Sequence, residues 1–199
     1  MGYTIGIYLA AGSSSRMGRN KLALPLFNTT LGSVALKVAL QSNLDEVLIV
    51  KRAEDHLEWV DSSCEGQFQS VTCCDAPLGQ AHSIVTGIKA AITRGADAVM
   101  IMLADQPFLR MHHLNAMMEA AIKERVQYIG TNVEGRTQPP LLFSKEVFPD
   151  LMKLEGDVGA RRLLPMLTGM SLNINESSEA YDIDTEEEYT WLISQQSIP

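Results

Sequence analysis

An α/β fold whose mostly parallel sheet is covered by helices on both faces is what the alternation of segments in this chain predicts. The strongest sign is the run Ala98–Leu103, apolar at every position, which reads as a strand buried on both sides. Just before it, Ala81, Ile84, Val85, Ile88, Ala91 and Ile92 recur at helical spacing. At the amino end Tyr3, Ile5, Ile7 and Leu9 alternate with smaller or mixed residues and stop abruptly at Gly12, as a central strand does on entering a loop.

The remaining elements follow the same logic in chain order. Leu31, Val34, Ala35, Val38 and Ala39 predict a helix behind Thr29 and Thr30, and residues 46–50 predict the next strand. Residues 70–74 form a short strand candidate. Leu114, Met117, Met118, Ala121 and Ile122 make another helical stripe, in which the methionines serve as core filler. Strands are expected at 128–131 and 141–143, then a helix opened by residues 156–162 with Asp157 as its cap and Arg161 on the same side. Asp182 and Asp184, two apart, are expected to share one face of a final strand. Thr185 and Glu188 form a capping box at the start of the last helix.

Length and charge narrow the class. With 199 residues the chain suits one domain with a sizeable core. Its net charge of -8 argues against nonspecific attraction to nucleic acid or an anionic membrane, so any phosphate must be met by local cations. Cys64, Cys73 and Cys74 are an odd number without C-x-x-C spacing, which suggests neither a disulfide framework nor a zinc site and fits a reducing cytoplasm. No apolar run approaches the roughly 20 residues of a membrane span, and no secretory pattern opens the chain.

Residues 9–21 carry the chemistry. Gly12 and Gly18 let backbone approach phosphate oxygens, Ser13, Ser14 and Ser15 add small hydroxyl donors, and Arg16 and Lys21 add charge. A loop placed at the carboxyl end of a strand is where open α/β sheets bind ligands. Lys21 does not directly follow Gly18 and no hydroxyl follows it, which excludes a Walker loop; two glycines cannot satisfy the dinucleotide fingerprint. Asp105 leaves the strand 98–103 just ahead of Gln106 and Pro107. There it either delivers a carboxylate to Mg²⁺ at the same sheet edge or caps a turn. Gln80 and Ser83 enter a helix whose unpaired amides suit an anion or a polar edge. His82, at the same helix start, is left outside the catalytic set.

The motif L-A-A-G-x-S-x-R-M-G-x-x-K of residues 9–21 closely resembles the signature of the MobA-like nucleotidyltransferases, in particular the molybdenum cofactor cytidylyltransferase branch. Residues 104–107, 156–161 and 182–185 resemble the family's metal-binding turn, its G-D-x-G-A-R element and its D-I-D-T element, in the same order. The chain departs from the usual pattern at Glu186 and Glu188, at Asp75-Ala76 ahead of Pro77, and at residues 136–140, where a Gly-x-Pro turn is typical.

The resemblance implies a three-layer Rossmann-like nucleotidyltransferase fold with a mostly parallel mixed sheet. It implies transfer of CMP from CTP to the terminal phosphate of a molybdopterin-type acceptor, with release of pyrophosphate and Mg²⁺ as cofactor. Ala11 is similar to the branch's cytidine marker, where guanylyltransferases carry glycine. On this reading Arg16, Lys21 and Asp105 are catalytic. Leu9, Ala10, Ala11, Gly12, Ser13, Ser14, Ser15, Met17, Gly18, Pro77, Gly79, Gln80 and Ser83 join them in holding the nucleotide. Gln106, Gly156, Asp157, Gly159 and Arg161 face the acceptor, and Asp182 or Asp184 supplies a second carboxylate beside Asp105. A purine-catabolism accessory role, serving a molybdenum hydroxylase such as xanthine dehydrogenase, fits the same branch. The competing expectations are a sugar-phosphate nucleotidyltransferase and a cofactor-binding insertion chaperone.

Overall fold

A computed structural model of the chain describes residues 2–14, 17–174 and 181–196, and among these described residues it has nine strands and five α-helices. In order they are β1 (Thr4–Leu9), β2 (Pro25–Leu26), β3 (Thr29–Thr30), α1 (Leu31–Gln41), β4 (Glu46–Lys51), β5 (Gln69–Thr72) and α2 (Gln80–Thr93). Then come β6 (Ala98–Leu103), α3 (Met111–Glu124), β7 (Tyr128–Val133), β8 (Arg136–Ser144), α4 (Phe148–Leu151), β9 (Gly169–Asn173) and α5 (Glu186–Gln196). The main sheet runs β5-β4-β1-β6-β8-β7-β9, while β2 and β3 pair as a separate antiparallel ribbon. Strand β1 lies parallel between β4 and β6; β8 alone runs against both its neighbours, which makes the sheet mixed.

Strand parity builds two cores. Ile5, Ile7 and Leu9 of β1, Leu48 and Val50 of β4, and Val99 and Ile101 of β6 point to the face covered by α2. Tyr8, Val47, Ile49, Met100 and Met102 point to the other face, against Ala35 and Leu36 of α1 and Met117 of α3. Because both faces are covered, the central strands are apolar almost throughout, which is why they were legible as continuous runs. A third apolar cluster joins Leu24, Leu26 and Leu31 to Ile183 and Leu192, and it packs α5 against the β2–β3 ribbon.

Several expectations need correcting. Residues 156–162 do not open an α-helix: a 3-10 turn spans Ala160–Met166, capped at Gly159 without a side-chain bond and containing Pro165, which lacks an N–H. Asp157 is unavailable as its cap because its Oδ1 accepts from the Gln80 amide at 3.2 Å. Asp182 and Asp184 do not share a strand face, since residues 181–184 pair with no strand. There the Ile183 amide donates to the Asp105 carbonyl at 3.0 Å and its side chain is buried in the third cluster. Strand β8 extends well ahead of the predicted 141–143, and β2, β3 and β9 were not foreseen. The capping box is present: the Glu188 amide donates to Thr185 Oγ1 at 3.2 Å, and Glu188 Oε2 accepts from the Thr185 and Asp184 amides at 2.9 and 2.7 Å.

Candidate active site

From β1 the chain crosses to β4 on one side, whereas β6, on the other side, is reached from β5, so the winding reverses at β1. Ligand crevices of open α/β sheets form at the carboxyl ends of strands flanking such a point. A cleft of about 560 Å³ lies there, lined by Leu9, Ala11, Gly12, Ser13, Ser14, Lys21, Pro77, Gly79, Gln80, Ser83 and Asp105. Ala10 and Gly18 instead line an adjoining cavity of about 770 Å³, and Met17 packs on the third apolar cluster. The predicted residues Ser15 and Arg16 lie outside the described residues. A Cβ added at Gly12 would meet no atom within 4 Å, so packing does not demand glycine there. Close approach of a ligand would.

At the floor of the cleft lies an ion cluster. The Lys21 side chain is only 11% exposed, and Nζ donates to Asp105 Oδ2 at 2.6 Å, Asp184 Oδ1 at 2.8 Å and the Ile183 carbonyl at 2.9 Å. An ammonium has three hydrogens, and all three are spent. Burial opposes the charge on Lys21, but Asp105 and Asp184 outweigh it and raise the pKa above its ordinary value. Lys21 therefore pins the carboxyl-terminal segment to the end of β6.

Helix α2 meets the cleft differently from expectation. Its first amides do not stand open: Gln80 donates to Asp157 and Ala81 donates to the Gly156 carbonyl at 3.2 Å. Gly79 has φ +125, and a Cβ there would strike the Gly156 carbonyl oxygen at 2.4 Å, so only glycine permits the two turns to meet. Residues 156 and 157 thus cap α2 and leave side chains, such as the buried Ser83, to line the cleft.

Of the residues expected to face the acceptor, Gln106, Gly159 and Arg161 line a second cleft of about 450 Å³ together with Asp182, Ile101, Leu141 and Pro139. Asp157 lines the first cleft, and Gly156 supplies only its carbonyl. Gln106 Nε2 donates to Asp182 Oδ1 at 2.8 Å. Burial of that carboxyl group, then the Asp105 charge, push its pKa up to about 6 against the opposing Gln106 bond. Asp182 as a residue still reaches solvent, which screens part of that effect. Behind this cleft His113 Nε2 meets Thr131 Oγ1 at 2.9 Å, and Thr131 donates to the Pro140 carbonyl at 3.1 Å.

Sequence reasoning missed Ala76, Leu78, Leu103 and Arg52 among the residues lining the first cleft. For Arg52 a signal existed, a cation directly after a parallel strand. Metal capacity rests on carboxylates. Among the described residues no three His, Cys, Asp or Glu side chains stand together as a cage. Asp105 Oδ1 is nevertheless buried with no hydrogen-bond partner, an orphaned oxygen that a hard cation would satisfy. One or two carboxylates completed by water and substrate phosphates is a donor set that fits magnesium. Among the described residues no helix is long and apolar enough to cross a membrane.

Comparison with known proteins agrees with this architecture. The MobA-like NTP transferase domain family matches residues 6–170. The purine catabolism protein PucB of Bacillus subtilis is 44% identical over 196 residues, covering 94% of each chain. A probable molybdenum cofactor guanylyltransferase of Opitutus terrae is 31% identical over 104 residues, 51% of this chain and 48% of that protein. In structure, a nucleotidyl transferase from Methanothermobacter thermautotroptrophicus superposes with a TM-score of 0.79 at 20% identity over 98% of both chains, which speaks for the fold. With sheet order, cleft and loop in agreement, the chain belongs to the MobA-like NTP transferase family and is a nucleotidyltransferase.

Proposed function

We propose that this single domain transfers CMP from CTP to the terminal phosphate of a molybdopterin-type acceptor and releases pyrophosphate. One observation carries the reading: the loop after β1, Lys21 and Asp105 converge on one cleft, with Lys21 Nζ 2.6 Å from Asp105 Oδ2. Gly12, Ser13 and Ser14 offer the triphosphate a close backbone wall. Arg16, in the same motif, completes the grip on the leaving pyrophosphate. Ala11, buried and lining the cleft, adds a methyl group where glycine would leave room, which favours the smaller pyrimidine over guanine. The second cleft takes the acceptor: its apolar floor suits a planar pterin, and Arg161 on its wall suits a phosphate.

In the reaction an acceptor phosphate oxygen attacks the α-phosphorus of CTP in line, and the bond to the β-phosphate oxygen breaks. No covalent protein intermediate is needed. Asp105 and Asp184 would hold a divalent cation, Mg²⁺ in this reading, which when bound supplies Lewis-acid stabilisation of the charge on the transferring phosphoryl group. Lys21 keeps both carboxylates in place, and contact with a phosphate would require it to release one of them, most easily Asp184, the more exposed of the two. Holding two anions side by side that repel in water is itself a large part of the acceleration. The 44% identity to PucB supports a role in purine catabolism; this reading adds a cytoplasmic setting and a molybdenum hydroxylase such as xanthine dehydrogenase as the recipient of the product.

The test is incubation of the purified protein with a molybdopterin-type acceptor, Mg²⁺ and either CTP or GTP. Identification of the attached nucleotide is expected to give CMP. Attachment of GMP, or of neither nucleotide, overturns the reading.

A further inference from the structure

We infer that Arg52 is a further triphosphate-binding residue of the nucleotide cleft, a reading that rests on the proposed transferase function and adds a cation outside the sequence motifs. Arg52 follows the last residue of β4, which pairs in parallel with β1, so it emerges at the same sheet edge as the loop after β1. Its Nε donates to the Ala11 carbonyl at 3.1 Å, which brings the guanidinium against that loop. It lines both the first cleft and the cavity behind the loop.

The charge balance of the cleft gives this position its weight. Among the described residues that line it, the acids are Asp105, Asp157 and Asp184 and the cations are Lys21 and Arg52. Lys21 is fully engaged with two of the carboxylates and the Ile183 carbonyl. Arg19, in the neighbouring cavity, is paired with Glu186. Without Arg52 only the fully engaged Lys21 would stand against three carboxylates in the described lining. Its own carboxylate partner is Glu54, at 3.1 Å, whose side chain is 69% exposed and which does not line the first cleft. An exposed pair of this kind is weak and readily exchanged. A guanidinium has five N–H donors in a planar fork, so after the Ala11 bond enough remain for two phosphate oxygens.

Equilibrium binding of CTP and of inorganic tripolyphosphate to the full chain tests the assignment. Arg52→Met is expected to weaken both ligands about tenfold, because the lost interaction is with the phosphates rather than the base. Arg52→Lys is expected to stay within about threefold of the unaltered protein, and Glu54→Gln to bind no more weakly than it. Should Arg52→Met fail to fold, Arg52→Gln, which keeps a donor for the Ala11 carbonyl, is expected to show the same tenfold loss. Binding within twofold of the unaltered protein in the Met or Gln variant overturns the assignment. So does a Lys variant as weak as the Met variant, since shape at Ala11 rather than charge would then matter. If the unaltered protein binds neither ligand, the proposed transfer from CTP itself falls, and this assignment falls with it.

Discussion

The two clefts at the carboxyl edge of the sheet share Gln80 and Leu103 yet are built from opposite materials. The first is walled by the glycine- and serine-rich loop and floored by a buried ion cluster; the second has an apolar floor from β6 and β8 with Arg161, Arg162 and Asp182 around it. Asp182 and Asp184 separate the two regions most sharply. Two residues apart, they face different clefts, one bonded to Gln106 and the other to Lys21, because Ile183 between them is anchored to Asp105 through its amide. A single turn of chain thus contributes to one cleft floored by a buried ion cluster and to another with an apolar floor.

Changes in the ion cluster should break the first cleft most severely. Asp105→Asn removes the charge while keeping an acceptor near Lys21, and pyrophosphate release at saturating Mg²⁺ is expected to fall by roughly 100- to 1000-fold. A near-normal rate would remove Asp105 from the chemistry. Lys21→Met should act on stability as well, because it leaves the Asp105 carboxylate unpaired and the Ile183 carbonyl without its donor. Breaking a pair this buried costs about 3 to 5 kcal/mol, readable as a shifted denaturant midpoint. An unchanged midpoint would mean that the cluster holds nothing together.

Much of this was legible in the sequence, and the gaps have physical causes. Central strands buried on both faces announce themselves as apolar runs, and the Thr185–Glu188 box is local chemistry at fixed spacing. The loop residues Gly12, Ser13, Ser14 and Lys21 stand out in the sequence because a phosphate cradle would need those types close together in the chain, and the fold brings them to one cleft. What sequence could not show were long-range bonds. Asp157 is a plausible cap for its own segment, but it caps α2, 77 residues away in the chain. Asp182 and Asp184 fit a strand by spacing, yet among the described residues their segment is not part of a strand. Arg52 belongs to none of the motifs, and its place directly after a strand gains meaning only when β4 is seen beside β1.

A smaller effect, read by pH, belongs to two groups at and behind the second cleft. Burial first, and the neighbouring His112 second, lower the His113 pKa from 6.5 to about 4. The folded protein therefore binds this proton less readily than the unfolded chain. Its contribution, up to about 3 kcal/mol, is complete above pH 6.5 and is lost as pH falls from there through about 4. Asp182, raised from 3.8 to about 6, has the opposite sign: its contribution is present below 3.8 and is lost as pH rises through about 6. Denaturant midpoints across this range should flatten on the acid side in His113→Gln and decline less from pH 4 to 6 in Asp182→Asn. Profiles identical to the unaltered protein would contradict both assignments.

The division of labour between the clefts is tested most directly by pyrophosphate release with CTP and acceptor varied independently, in the unaltered protein and in Gly12→Ala and Arg161→Ala. Gly12→Ala is expected to raise the KM for CTP about tenfold and leave that for the acceptor unchanged; Arg161→Ala is expected to do the reverse, by about tenfold. If each variant raised both KM values together, or if Arg161→Ala affected CTP alone, the two clefts would not be the seats of two different substrates.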